Sequence, residues 1–301
     1  MTGYKQPLAD LVGDSEVGLR GRVEALSESD AAALQKAVLI LEHPSLVARI
    51  ASLAGTPLSL LNRALPQAVT GVISKAISVA LRSALRVALA SLRTGDSRTG
   101  LPANFLTSRS DAIHKGLAAL SGGVGGAFGI ASLPMELPIS TTLILRAVAD
   151  IAREQGEDLS DPETALACLQ VFALGGRAET DDFTESSYFA VRGALAKTVT
   201  EATRYIAERG LLEEGGPILT RLAAQIASRF GIVVSQKVAA QAVPIVGAMG
   251  GAAVNAAFMA HFQAIARAHF CVRRLERQNG KPRVQAAYEQ LRTSGSGAIR
   301  V

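Results

Sequence analysis

Several polar side chains in the central and C-terminal parts of the chain are of the types that bind ligands or transfer protons. Glu136 stands between apolar neighbours and two prolines, while Asn255 and His261 lie within a long apolar stretch. A buried carboxylate, amide or imidazole needs a hydrogen-bond or charge partner, so these side chains are expected to pair within the protein or to hold a ligand. The candidate polar cluster consists of Glu136, Arg146, Asp150, Asn255, His261 and His269.

Two interpretations of this cluster remain open. Structural pairing would join Glu136 to Arg146, and Arg146 to Asp150 one helical turn later. A ligand or catalytic site would instead lie between two apolar helices. His261 and His269 are about 12 Å apart along one predicted helix, too far to share a metal ion without acids from elsewhere. No metal and no cofactor is predicted.

Local catalytic motifs are missing from the sequence. It contains no G-x-S-x-G, no H-E-x-x-H, no Walker A motif and no G-x-G-x-x-G. Cys168 and Cys271 are far apart and fit neither a metal knuckle nor a redox pair. These absences favour a protein that is not an enzyme, with an enzyme or a small-ligand or metal-binding protein as the alternative.

The clearest geometric signal is a line of basic residues on a helix predicted from Pro66 to Arg93. Their separations of 7, 4 and 7 residues place them on one side of the helix. No acidic residue occurs between Arg63 and Asp96. Such a stripe is typical of a helix at an anionic membrane surface, and equally of a buried helix with one charged edge. The basic stripe consists of Lys75, Arg82, Arg86 and Arg93.

Charge is unevenly distributed along the 301 residues, whose net charge is +5. The first sixty residues carry −2, residues 61–115 carry +6, 116–185 carry −8 and 186–301 carry +9. These blocks either neutralise one another in the fold or leave a basic surface for an anionic partner. Aromatic residues make up only 4% and do not group with the arginines, so nucleic acid is not expected as a partner. The second basic region consists of Arg267, Arg273, Arg274 and Arg277.

Helix start and stop signals predict an all-α fold. The sequence is 49% hydrophobic with a mean hydropathy of +0.26, and no segment alternates with the period of a strand. Caps, prolines and glycines predict helices over 29–41, 66–93, 111–120, 138–155, 162–174, 184–209, 217–241, 244–277 and 283–291.

Two uncharged segments rich in Ala and Gly, 116–135 and 238–266, are each long enough to span a bilayer. Both contain pairs of small residues four apart, such as Gly122 with Gly126 and Gly247 with Gly251, which let helices approach closely. Polar residues in the second segment favour a buried helix pair over membrane insertion. The expected architecture is one large multi-helix domain with two close-packed central helices.

Two stretches resemble the EcsC family. The first runs from Leu133-Pro134-x-Glu136-Leu137-Pro138 through Arg146 to Asp161-Pro162, and the second from Pro244 and Gly247 through His261-Phe262-Gln263 to Arg273-Arg274-Leu275-Glu276-Arg277. The resemblance implies a bacterial, mainly helical protein and transfers no catalytic residue. The expected organisation is an N-terminal helical region over 1–100, an EcsC-like core over 101–291 and a disordered tail over 292–301.

The leading functional expectation is a non-enzymatic protein at the cytoplasmic face of the membrane. The N-terminus lacks the basic start and apolar centre of a signal peptide, which predicts a cytoplasmic protein. The basic stripe and the second basic region would contact anionic lipid or a membrane protein. A soluble module that binds an acidic protein remains an alternative.

Overall fold

The computed structural model describes residues 26–43, 46, 50, 67–94, 133–176, 187–209, 216–241 and 251–298. Eight α-helices and no strand occur among these residues, which confirms the all-α, single-domain prediction. The helices are α1 (Glu28–Glu42), α2 (Gln67–Thr94), α3 (Leu133–Glu154), α4 (Pro162–Leu174), α5 (Tyr188–Arg209), α6 (Pro217–Gln241), α7 (Gly251–Asn279) and α8 (Lys281–Ala298).

Local chemistry explains where several helices begin and end. The Ser27 side chain accepts a hydrogen bond from the Asp30 amide at the start of α1, and Asp161 accepts one from the Glu163 amide at the start of α4. Gly156 and Gly280 follow α3 and α7 with φ values of 79° and 87°, a conformation that residues with a Cβ rarely adopt. The Asp161 cap and Gly156 are among the signals from which the helices were predicted.

Two predicted boundaries are wrong. Helix α3 begins at Leu133 rather than at Pro138, which lies inside the helix. The ring of Pro138 leaves the Pro134 carbonyl without its helical donor, but Pro134 is exposed, so water can supply one. Helix α8 runs to Ala298 rather than ending at Leu291, so the expected disordered tail is helical as far as that residue. The predicted helix over 111–120 lies outside the described residues.

Helices α2 and α7 organise the packing. Helix α2 packs along α3 and α6, while α7 contacts α1, α3, α4, α6 and α8. Four phenylalanines from α4, α6 and α7 meet between these helices with ring centroids 5.1 to 6.1 Å apart, mostly edge-on or tilted. They concentrate the scarce aromatic residues in the core, and they are Phe172, Phe230, Phe258 and Phe262.

Close backbone approach occurs at the end of α4. A Cβ on Gly176 would overlap the carbonyl oxygen of Arg229 on α6, and a Cβ on Gly175 would lie 2.6 Å from the Phe262 ring. Both glycines therefore let α4 end directly against its neighbours. The close approach predicted at Gly122–Gly129 and around Gly247 lies outside the described residues, so it stays a prediction.

We expect Gly176→Ala to lower the free energy of unfolding by about 3 kcal/mol, because a backbone carbonyl cannot move aside as a side chain can. Gly193→Ala is the matched control, since nothing lies within 4 Å of a Cβ there and alanine favours the helix by about 0.5 to 1 kcal/mol. Denaturant unfolding measures both. Equal stabilities for the two variants would contradict the close contact.

Candidate functional site

A buried ion pair lies at the centre of the molecule. The Lys237 Nζ atom of α6 donates to Oε1 of Glu136 on α3 at 2.6 Å, and the two side chains are 0% and 3% exposed. Nζ also lies 4.8 Å from the centre of the Phe258 ring on α7. The predicted pairing of Glu136 with Arg146 is therefore wrong, and Lys237 is a partner that the sequence did not indicate.

Helix geometry supports this pair. Glu136 lies in the first turn of α3, where the unpaired amides of the helix N-terminus favour a negative charge. Burial lowers the pKa of Lys237, and the Glu136 carboxylate opposes that shift without cancelling it. Removing two charges from water costs several kcal/mol per ion, and the attraction between the charges offsets this cost only when their geometry is good. The ion pair is consequently a contact that α3, α6 and α7 must all satisfy together.

The other members of the candidate polar cluster do not converge on this pair. His261 Nε2 lies 3.0 Å from the Gly175 carbonyl oxygen at the end of α4. Asp150 forms an ion pair with Arg153 at 3.3 Å, and Asn255 is buried on α7. His269 lies two turns beyond His261 and joins a different network. The cluster predicted from the sequence is divided among separate contacts.

Two arginines of the second basic region, Arg273 and Arg277, bind acidic residues of the same chain. Arg273 donates to both carboxylate oxygens of Glu157, at 2.9 and 3.1 Å, and Arg277 bonds the same carboxylate. Arg273 also lies 3.4 Å from Glu163. Burial raises the pKa of Glu157, but the hydrogen bonds and charges of the two arginines outweigh it, and the net shift is downward. The two arginines thus neutralise the acidic connection between α3 and α4.

A second network ties α5 to α7. The Tyr188 hydroxyl lies 2.9 Å from Nδ1 of His269 and accepts from Arg192 at 3.0 Å, while Arg192 also forms two bonds to Glu276. Burial, with the charges of Arg192 and Arg273, lowers the pKa of His269 well below its ordinary value. The imidazole is therefore neutral at neutral pH.

The same network reaches α1 and α8. Oε1 of Glu42 accepts from the Tyr188 amide at 3.2 Å and from the Tyr288 hydroxyl at 2.7 Å. The two tyrosine rings stack with centroids 5.5 Å apart. Most polar atoms of this network pair with one another, whereas Nε2 of His269 is buried without a hydrogen-bond partner. The described residues contain no group of three His, Cys, Asp or Glu that could hold a metal. The network is suited to stabilising the fold.

The basic stripe lies on a helix face that is open to solvent. Lys75, Arg82 and Arg86 are exposed on α2, whereas the Arg93 side chain lies outside the described residues. Two apolar residues share this face, Val72 at 37% and Val79 at 46% exposure. All five side chains fall within about 80° of the helix circumference. The face therefore combines positive charge with exposed apolar groups.

A groove borders this face. It has a volume of about 500 Å³ between α2 and α6. Arg82 and Arg86 form one edge, Leu81 and Leu85 line it on the α2 side, and Thr220 stands on the α6 side. The remaining lining residues are small, namely Ser78, Ala223, Ala224 and Ala227.

Helix α6 has the length and apolar composition needed to cross a bilayer, with a mean hydropathy of 1.2 in its most apolar window. It is the one such helix among the residues described, and a core helix can meet the same criterion. The predicted burial of 116–135 and 238–266 as a helix pair stays a prediction, because residues 116–132 and 242–250 lie outside the described residues.

Several residues of these sites were missed by the sequence analysis. Lys237 immediately precedes the uncharged segment 238–266, so the sequence shows that it has no charged neighbour on that side. The sequence does not show that Glu136 is its partner. Val72 and Val79 repeat at the spacing of the basic stripe and could have been assigned to it. Glu157 carried no signal, because nothing local distinguishes it from other loop acids. The acids and tyrosines of the second network gave no local signal either, and they are Glu42, Tyr188, Glu276 and Tyr288.

The chain belongs to the EcsC protein family, whose family model matches residues 33–275. The match includes the basic stripe, the buried ion pair and most of α7. No curated protein and no solved structure shows significant similarity to the chain. The resemblance seen in the central and C-terminal stretches is thus confirmed over residues 33–275.

We expect Lys237→Met and Glu136→Leu each to lower the free energy of unfolding by about 3 to 5 kcal/mol, because each leaves one charge buried alone. The double variant should be more stable than the sum of the two losses implies, since it removes both charges. Denaturant unfolding of the four proteins gives the coupling energy. Strictly additive losses would show that the two side chains do not interact.

Glu136→Gln should make stability depend more steeply on pH. Burial holds the pKa of Lys237 below the value of about 10.4 that it has in the unfolded chain. Between these two pKa values Lys237 is protonated in the unfolded chain more fully than in the folded protein. The free energy of unfolding therefore rises as pH increases from 7 towards 10. The slope should exceed that of the wild type, because the opposing carboxylate is gone. Unfolding measured at several pH values tests this, and a slope equal to that of the wild type would contradict it.

Glu157→Gln should weaken the protein at pH 7 and flatten its acid unfolding. Because the folded pKa of Glu157 lies below the unfolded value of about 4.3, its stabilising contribution is present above that value and is lost as pH falls through the folded pKa. The glutamine variant cannot lose that contribution. Glu208→Gln, exposed on α5, is the control. Identical acid-unfolding curves for the two variants would exclude a special role for Glu157.

Proposed function

We propose that this protein is a non-enzymatic, peripheral membrane protein that binds anionic lipid at the cytoplasmic face through α2. The observation that carries the proposal is the exposed face of α2, where three basic side chains alternate with two exposed valines. Basic groups near an anionic surface contribute about 1 kcal/mol each, and valines add apolar contact with the headgroup boundary.

The charge of the surrounding surface supports the same proposal. Helices α2 and α6 form the two sides of the groove, and neither helix contains an acidic residue. Arg82 forms no ion pair with any acid in the described part of the chain. The described residues of these two helices therefore present positive charge and no negative charge to a lipid phosphate.

Exposed apolar residues also occur on α3, which packs beside α2. Of the five large hydrophobic residues exposed among those described, four lie on α2 and α3, which pack along each other. Met135 and Ile139 on α3 are 77% and 51% exposed. Apolar side chains near a basic face are typical of proteins that rest on a membrane without crossing it.

The second basic region is a weaker candidate for lipid contact. Arg273 and Arg277 already bond Glu157, so binding lipid would require them to leave a partly buried carboxylate. Arg274 contacts the Cys271 sulfur at 3.9 Å. Burial lowers the pKa of Arg267. The proposal therefore rests on α2 and not on the C-terminal arginines.

Flotation with vesicles of phosphatidylglycerol and phosphatidylcholine tests the proposal. We expect binding that increases with the anionic fraction and falls at high salt. Lys75→Gln/Arg82→Gln/Arg86→Gln should weaken partitioning by about 3 kcal/mol, or roughly a hundredfold. Val72→Ser/Val79→Ser should weaken it with little change in salt dependence.

The matched control is Lys36→Gln/Lys197→Gln/Arg204→Gln, which removes the same charge from exposed positions on α1 and α5. Equal losses in the two triple variants would mean that net charge alone governs binding. Absence of any preference for anionic vesicles would refute the proposal.

A further inference from the structure

The start of α3 presents large apolar side chains to solvent. Met135 is 77% exposed and Ile139 is 51% exposed, and the two are one turn apart on the same side of the helix. Pro134 beside them is exposed as well. Within residues 133–140 the one charged side chain is Glu136, which is buried. The outer surface of the first two turns of α3 is therefore apolar and uncharged.

The buried ion pair keeps this surface free of negative charge. Glu136 lies between Met135 and Ile139 in sequence, but its carboxylate is turned inward and accepts a hydrogen bond from Lys237 at 2.6 Å. An exposed carboxylate at this position would repel an anionic surface. Because Lys237 holds it in the interior, the apolar side chains on either side can approach negative charge without that repulsion.

A cation without an acidic partner follows on the same side of α3. Arg146 lies three turns after Met135 and within about 20° of the same line along the helix. It is half-buried and forms no ion pair with any acid in the described part of the chain. Side chains on a helix lean towards its N-terminus, which brings a long arginine side chain closer to the apolar turns. An apolar end followed by a cation matches the order of hydrocarbon and phosphate in a lipid monolayer.

The apolar end of α3 lies towards the N-terminal half of α2. Ile77 of α2 is 3.5 Å from the position that a Cβ on Gly231 of α6 would occupy, and Leu85 shares an apolar seam with Leu219. The two helices therefore run in opposite directions. Lys237 lies beyond Gly231 in the direction of the α2 N-terminus, and it bonds the start of α3. The same half of α2 carries both of its exposed valines.

We propose that the start of α3 enters an anionic bilayer, with Met135 and Ile139 at the hydrocarbon boundary and Arg146 at the level of the lipid phosphates. The inference rests on the proposed function, because the basic stripe of α2 supplies the attraction that brings the protein to the membrane. Insertion is shallow. Pro138 leaves the exposed Pro134 carbonyl without a helical donor, so this part of the backbone must stay among hydrated headgroups.

Tryptophan fluorescence tests the insertion directly, because the chain contains no tryptophan of its own. On vesicles of phosphatidylglycerol and phosphatidylcholine, the emission of Met135→Trp should move to shorter wavelength. Phosphatidylcholine brominated near the headgroup end of its acyl chains should quench it more than lipid brominated near the methyl end. Leu39→Trp is the matched control, since Leu39 is 57% exposed on α1. Its emission should not change.

Vesicle flotation measures what each side chain contributes. Met135→Ser/Ile139→Ser should bind about tenfold or more weakly, with the salt dependence unchanged. Arg146→Gln should bind about fivefold more weakly and with a smaller salt dependence. Leu39→Ser and Lys36→Gln, both exposed on α1, are the controls and should bind like the wild type. Unchanged thermal unfolding of all these variants shows that the fold is intact.

The remaining outcomes separate this inference from the proposed function. Flotation that depends on the basic stripe, without quenching of Met135→Trp, would overturn insertion and leave the proposed function. Quenching of Met135→Trp on vesicles that bind regardless of their anionic fraction would contradict the proposed function and support insertion. Equal quenching of Met135→Trp and Leu39→Trp would overturn the assignment to α3. A lipid-free dimer that Met135→Ser/Ile139→Ser dissociates would assign these side chains to a second copy of the chain and overturn it as well.

Discussion

The architecture depends on the burial of one ion pair. Glu136 and Lys237 lose nearly all contact with water, and their attraction offsets that cost only at the observed separation of 2.6 Å. This requirement fixes the start of α3 against the distal part of α6, with Phe258 of α7 over the ammonium group. Helix α2 packs on both α3 and α6, and its buried side includes Ile73, Ile77 and Leu81. Burial of that apolar side turns the basic stripe outward.

The presence of most helices was predictable because the residues that begin and end a helix act on the backbone close to them in sequence. Ser27, Asp161 and the prolines at 162 and 217 act within one turn of where they stand. The start of α3 was predicted wrongly because a proline at a helix start and a proline tolerated inside a helix look alike in sequence. The end of α8 was missed for a related reason, since Ser and Gly predict a break that the backbone does not make before Ala298.

The candidate site was less predictable because its partners are distant in sequence. Arg146 was the nearest cation to Glu136, yet the true partner lies 101 residues away. Glu157 is separated from Arg273 by 116 residues, so a run of arginines that looked available for lipid is largely occupied. The alignment of Lys75, Arg82 and Arg86 on one exposed side of α2 was predictable, because it needs only the geometry of a single helix. The groove beside it needed a second helix and could not be inferred from α2 alone.

The contact of Gly176 with the α6 backbone also constrains how this chain can change in length. Inserting one residue in α4 would turn its C-terminal end by about 100° and advance it by about 1.5 Å. Gly175 would then take the place of Gly176, and Leu174 would take the place of Gly175, where a Cβ lies 2.6 Å from the Phe262 ring. Deleting one would bring Arg177 to the same place, where even a single Cβ overlaps the Arg229 carbonyl. The length of α4 is thus fixed to the residue. Related chains with this packing should tolerate insertions and deletions in their connections but not within this helix.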